Sequence, residues 1–245
     1  MNLRVEAICD KGCLRTNNED HILLPGKIFT DASSEMEFEM NGGALFAVAD
    51  GMGGHSAGEV ASKMVLTSLN EFAENCSSAI TFSAFEEELA SWLTKIHTDL
   101  RAAGKENPAY KDMGTTLSGL FFGSNEIFVF NAGDSKTFFY TGKDLIQITR
   151  DHTLGETTGL QGLNAGLLVN CIGAISNPMI EVENVTEYKK PGNVFLICSD
   201  GLTDMLDTDR IKELMQEKNA RALVEEAKRK GGRDNISVIL IILLD

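Results

Sequence analysis

Cysteine is scarce and unpatterned in this 245-residue chain. Cys9, Cys13, Cys76, Cys171 and Cys198 are odd in number, contain no CxxC pair and have no histidine at zinc-ligand spacing. Neither a disulfide framework nor a structural zinc site is expected, and a chain this long buries enough apolar surface to fold without covalent staples. No apolar run reaches membrane-spanning length. Residues 1–10 alternate polar and apolar side chains where a signal peptide needs an apolar core, so the expectation is a cytoplasmic protein with no membrane partner. Basic residues are also few: 22 Lys and Arg stand against 36 Asp and Glu, a net charge of −14. Such a field repels polyanions over a Debye length of about 8–10 Å, which argues against a nucleic-acid partner. The dense basic stretch at 228–233 is short and reads as a charged helix end. Internal repeats, low-complexity tracts and linkers are lacking as well, so residues 1–245 are expected to form a single domain.

The 43% hydrophobic content supplies a core and excludes disorder. Residues 3–9 place Leu3, Val5, Ala7 and Cys9 on one side, and 44–49 is an apolar run ending in Asp50-Gly51; both predict strands. Beyond Gly58 the spacing turns helical through Ala61, Val65, Leu69 and Phe72, then again through Phe82, Phe85, Leu89, Trp92, Ile96 and Leu100. Strand patterns return at 115–122, 126–132, 137–140, 145–148, 180–188, 193–198 and 236–244, with helices at 209–218 and 220–230. The Gly- and Thr-rich stretch 155–166 reads as a projecting loop. Hairpin-length links imply antiparallel neighbours, and the whole predicts a layered α+β sandwich.

Acids beside glycines and at the ends of apolar runs stand out: Glu19-Asp20, Asp50-Gly51, Asp134, Asp200-Gly201, Asp204 and Asp234-Asn235. Singly each has a bland reading, since Asp-Gly is a common turn and Asp209 fits a helix cap. Together they predict carboxylates crowded at one edge of the core, where mutual repulsion calls for a cation. Oxygen ligands without His or Cys select Mg²⁺ or Mn²⁺ over zinc. Glycine after the acid lets a carbonyl approach the ion, and Asp204 falls on the same side of a helical turn as Asp200.

The motifs Arg15-Thr16-Asn17-Asn18-Glu19-Asp20, Val48-Ala49-Asp50-Gly51-Met52-Gly53-Gly54-His55, Gly114-Thr115-Thr116, Gly133-Asp134-Ser135, Asp151-His152, Ser199-Asp200-Gly201-Leu202 and Asp234-Asn235-Ile236 follow one another along nearly the whole chain. In that order they resemble the metal-dependent protein phosphatases of the 2C type in their short bacterial form. The resemblance implies a four-layer αββα sandwich, two central antiparallel sheets flanked by helix pairs, holding two Mn²⁺ or Mg²⁺ ions. Asp50 would bridge the ions, with Asp200 and Asp234 on one and Glu19 and the Gly51 carbonyl on the other. Asp20 would act mainly through outer contacts, and a third, weaker ion would lie near Asp134, Asp200 and Asp204. Arg15 would grip the substrate phosphate with its planar fork.

The implied reaction is hydrolysis of phosphoserine or phosphothreonine by water made acidic between the ions, with in-line attack and no phosphoenzyme. His55 is the candidate general acid and equally a candidate helix cap. His152 reads as structural, and no role is assigned to His21 or His97. The segment at 153–170 matches the family's flap but is short, and its following tetrad, Asn170-Cys171-Ile172-Gly173, carries no arginine; Lys136 stands where Arg is common. Phosphoprotein substrates, an opposing Ser/Thr kinase and a monomeric state are expected. The alternatives are a catalytically silent binding module and a hydrolase of small phosphate esters or nucleotides.

Overall fold

The computed structural model describes residues 2–40, 42–53, 57–162 and 164–244, Phe38 by its backbone alone. Strand β1 (Asn2–Asp10) shows the expected alternation: Leu3, Val5, Ala7 and Cys9 are 2% exposed or less, with half-buried residues between them. It is followed by β2 (Asp20–Leu24), β3 (Lys27–Phe29), β4 (Ala32–Glu39) and β5 (Ala44–Met52). Helices α1 (Ala57–Asn75) and α2 (Phe82–Glu106) come next, and then β6 (Gly114–Thr115), β7 (Leu117–Phe122), β8 (Ile127–Ala132), β9 (Lys136–Tyr140) and β10 (Leu145–Gln147). The remainder runs α3 (Leu154–Thr158), β11 (Glu181–Asn184), β12 (Val194–Cys198), α4 (Asp200–Thr203), α5 (Thr208–Leu214), α6 (Ala220–Arg229) and β13 (Ile236–Leu243).

Among the described residues the strands form two antiparallel sheets. One has six strands in the order β10-β9-β12-β13-β1-β4; the other has seven, in the order β11-β8-β7-β5-β2-β3 with β6 on β5. The inner faces meet through Leu3, Val5, Phe46, Val48, Phe122, Phe195 and Ile241. On the outer face of the seven-stranded sheet, Val65, Leu69, Phe85, Leu89 and Ile96 of the long helices pack on Leu45, Phe121, Phe128 and Phe130. On the outer face of the six-stranded sheet, Leu202, Ile211, Leu223 and Val224 pack on Leu196, Val238 and Leu240. This is the four-layer α+β sandwich. Burying a side chain such as Phe46 or Leu69 contributes about 1.5–3 kcal/mol, so strands apolar on both faces carry most of the stabilisation.

Four sequence expectations need correction. Strands β2, β3 and β4 were not anticipated. β4 escapes because its outward residues Glu35 and Glu37 are charged and exposed, as suits a sheet edge that must resist further pairing. Stretch 155–166 is not all loop: α3 begins at Leu154, capped by the Thr153 hydroxyl accepting from the Glu156 N–H and closed by left-handed Gly159. Asp207, not Asp209, caps α5. Finally, Asp50 lies within a strand and not at its end, because Gly51 and Met52 continue the ladder by pairing with Thr115 and Gly114.

Candidate metal centre

Asp20 opens β2 and stands opposite Asp50 of β5 in the strand register. Its fully buried carboxylate crosses to the other sheet, where Oδ2 accepts hydrogen bonds from the Ser199 and Ser237 hydroxyls, each at 2.8 Å. Oδ1 has no partner. Burial pushes this carboxyl up to about 7, against the two serine hydroxyls and with help from the charges of Asp200 and Asp234.

Asp200 is the first residue of α4, immediately beyond β12 and Ser199. Burial and then Asp204, at the C-cap of the same turn, raise its pKa, and its Oδ1 is buried without a partner. Burial, then the charges of Asp20, Asp200 and Asp134, hold Asp50 well above the usual carboxylate range. Asp134, in the turn between β8 and β9, is pushed up to about 7 by burial and by Asp200, with Lys136 opposing. Glu19 is raised by burial, offset by Arg15, and feels Asp234. The acids predicted as ligands are thus drawn from five places in the chain into one electrostatic neighbourhood.

The backbone beneath them is held by Asn235, Thr115 and Thr116, neighbours of the acids in the motifs, and by Ser62, which the sequence does not mark. The Asn235 amide oxygen accepts the Glu19 N–H at 2.9 Å while its nitrogen donates to the carbonyls of Lys11 and Asn17 at 3.0 Å. The Asp50 carbonyl accepts from the Thr116 N–H and the Thr115 hydroxyl, and the Asp50 N–H donates to the Thr116 hydroxyl. Ser62 of α1 donates to the Glu19 carbonyl at 2.5 Å, and its hydroxyl also meets Nδ1 of buried His21. The start of α1 presses on the site. A Cβ on Gly51 would collide with the Gly58 carbonyl, and one on Gly58 would lie 2.7 Å from the Gly51 carbonyl carbon and 2.9 Å from Glu19 Cδ. Glycine at position 51 is therefore required by packing. Asn235 was visible beside Asp234, whereas Gly58 and Ser62 carry no signal beyond small residues on a helix face.

Among the described residues no group of three or more His, Cys, Asp or Glu side chains already stands as an ion's ligand set. Asp20 is turned to two serines, and Asp234 is ion-paired with Arg15. The donors nevertheless fit a hard cation. They are all oxygens, two buried carboxylate oxygens have no partner among the described residues, and the acids are raised by burial and then by crowding, which a divalent charge would relieve.

Arg15 is exposed, and its Nη2 lies 2.6 Å from Asp234 Oδ2. Lys136 donates to Asp151 at 2.6 Å and to the Asp134 carbonyl at 3.0 Å, so it braces the turn that carries Asp134. His152 is buried: Nδ1 accepts from the Gly133 N–H and lies 2.6 Å from the Asn170 amide, while Nε2 is 3.3 Å from Glu181. These contacts give His152 the structural place read for it. His97 of α2 accepts the Gly173 N–H. His55, the expected general acid, lies outside the described residues.

Comparison with known proteins places this arrangement. The chain is 29% identical over 264 residues to serine/threonine protein phosphatase PstP of Mycobacterium tuberculosis, covering 99% of this chain and 45% of that protein. It thus spans about half the length of that curated relative. It is 28% identical over 261 residues to serine/threonine phosphatase stp of Listeria monocytogenes, covering 98% of this chain and 95% of that protein. A crystal structure of the PstP catalytic domain in complex with two manganese ions superposes with a TM-score of 0.79 at 27% identity, covering all of both chains. Residues 30–231 match the family described as Protein phosphatase 2C, and the chain belongs to that family.

Proposed function

We propose that this chain is a serine/threonine phosphoprotein phosphatase that works with a pair of divalent cations, Mn²⁺ or Mg²⁺. The observation that carries the reading is the set Asp20, Asp50, Asp134 and Asp200. These four acids, Asp20 buried and the others half-buried, are delivered from distant segments into one cluster, and among the described residues Oδ1 of both Asp20 and Asp200 lacks a partner. The likeness of fold to the PstP catalytic domain, solved in complex with two manganese ions, supports it.

Asp50, Asp200 and Asp234, with Glu19 and the Gly51 carbonyl, are the residues that would hold the pair. Asp134, Asp200 and Asp204 would hold a further, weaker ion, and Asp20 would set the charge behind Asp50. Bound there, the ions would supply a water of lowered pKa and neutralise charge on the phosphoryl oxygens. Arg15 binds and orients the substrate phosphate through two parallel N–H donors, exchanging its contact with Asp234 for the incoming anion. The serine pair on Asp20 keeps that carboxylate from swinging toward the reacting phosphate. The general acid for the leaving alkoxide remains assigned to His55 as a proposal from the sequence.

Residues 1–245 act as one catalytic domain in this reading, supported by the pairing of β1 with β13, which joins the two ends of the chain in one sheet. Segment 153–170 is its flap. Five free thiols suit the reducing cytoplasm, and phosphoproteins made by a Ser/Thr kinase are the substrates of a monomeric enzyme. The test is turnover of a phosphothreonine peptide with Mn²⁺, with Mg²⁺ and with chelator, beside a nucleotide as competitor. Mn²⁺-dependent release of phosphate from the peptide, abolished in a folded Asp200→Asn variant, is expected. Full activity in chelator, or in that variant, refutes the reading.

A further inference from the structure

A cavity of about 190 Å³ lies between the C-terminal end of α2 and the segment that leads into β6. Arg101, Lys105 and Lys111 line it against one acid, Asp112, with buried Met113 and Gly173 completing the wall. All three cations are exposed, and among the described residues none of them is in an ion pair. Lys105 alone would be explained by the helix dipole. Lys111 is not on the helix: the chain turns back through 108–110 to bring it there, and Gly104 packs on that turn, since a Cβ there would lie 2.9 Å from the Tyr110 carbonyl oxygen.

The cavity adjoins the metal centre through two backbone pairings. Met113 precedes Gly114, which pairs with Met52, while Thr115 pairs with Gly51 beside Asp50. Thr115 also exchanges two 2.9 Å hydrogen bonds with Ile172, the residue before Gly173. The His97 ring, one turn before Arg101, accepts the Gly173 N–H at 3.2 Å and ties α2 to the same segment. By contrast, the cations among the carboxylates are engaged, Arg15 with Asp234 and Lys136 with Asp151, and residues 151–188 contain no Lys or Arg at all. On a chain of net charge −14, an acidic substrate segment is repelled unless it meets a local cluster of free cations.

We propose that this cavity binds acidic side chains of the phosphoprotein flanking the phosphoserine or phosphothreonine, so that the enzyme selects phosphosites in acidic sequence. The proposal rests on the phosphatase reading above. It is tested by comparing the parent with a triple variant, Arg101→Ala, Lys105→Ala and Lys111→Ala, on three substrates: a glutamate-flanked phosphothreonine peptide, the same peptide with neutral flanks, and p-nitrophenyl phosphate. Three exposed charge contacts predict a rise of about tenfold in KM for the acidic peptide, weakening with salt, and less than about twofold for the other substrates. Unchanged KM for the acidic peptide, or an equal change on all three substrates, overturns the proposal. If the parent hydrolyses no phosphopeptide, the phosphatase reading fails by itself. The cavity is then decided by fluorescence anisotropy of the labelled, unphosphorylated acidic peptide, with equal binding by parent and variant overturning it.

Discussion

Arg15 Nη2 and Asp234 Oδ2, 219 residues apart in the chain, meet at 2.6 Å at the mouth of the acidic cluster. The pair puts a guanidinium fork beside a proposed metal ligand, and the hydrogen bond to Asp234 is the largest contribution raising its pKa. In the proposed reaction a substrate phosphate and Asp234 would compete for one set of donors. Arg15→Ala is expected to raise KM for a phosphopeptide about ten- to hundredfold, the range set by charged hydrogen bonds, without weakening Mn²⁺ binding, because Asp234 is released. Steady-state kinetics and calorimetry check this; a fall in kcat at constant KM would move Arg15 to the transition state.

The crowded acids make the metal-free protein sensitive to pH in an unusual direction. Asp20 and Asp134 are raised to about 7, chiefly by burial, so the native state binds more protons than the unfolded chain from about pH 4 to about 7. Their contribution favours folding below the unfolded value and is lost as pH rises through the folded one. In chelator, the melting temperature is expected to be higher near about pH 5.5 than near about pH 8, by roughly 5 °C or more. Saturating Mn²⁺ is expected to remove the difference by replacing protons as the neutralising charge. A chelated protein that grows more stable across this interval would contradict the clustering.

Gly58 offers a test of how α1 sets the site. Gly58→Ala places a methyl group 2.9 Å from Glu19 Cδ and 2.7 Å from the Gly51 carbonyl carbon. The expected cost in stability is about 1–3 kcal/mol, together with loss of one of two Mn²⁺ binding events in isothermal titration calorimetry. Two unaltered binding events in the variant would show that neither Glu19 nor the Gly51 carbonyl holds an ion.

Asn235 bridges three backbone groups and is 5% exposed. Asn235→Ala leaves the Glu19 N–H and two carbonyls without that partner, and is expected to destabilise the fold by about 2–4 kcal/mol in chemical denaturation. Mn²⁺ affinity should fall with it. Unchanged affinity would reduce Asn235 to a purely structural tie.

Much of the fold was legible because burial leaves a period in the sequence. The two-residue period of β1 and the 3.6-residue period of α1 and α2 each name the face that meets the core. Where both faces are buried or the outer face is charged, the period fades, and β2 and β4 were missed for those reasons. The acids were legible because a carboxylate beside glycine at the end of an apolar run is costly without a role.

The residue types alone determined that the candidate ligands are oxygen-rich and histidine-poor, a set suited to a hard divalent cation, since ligand chemistry belongs to the side chain and not to its place. Tertiary structure alone decided which acids face one another. The register that sets Asp20 opposite Asp50, the reach of Arg15 to Asp234 and the pressure of Gly58 on Gly51 are contacts between distant segments, fixed by how two sheets and a helix pack. No local pattern encodes such distances, because they depend on the whole core being assembled at once.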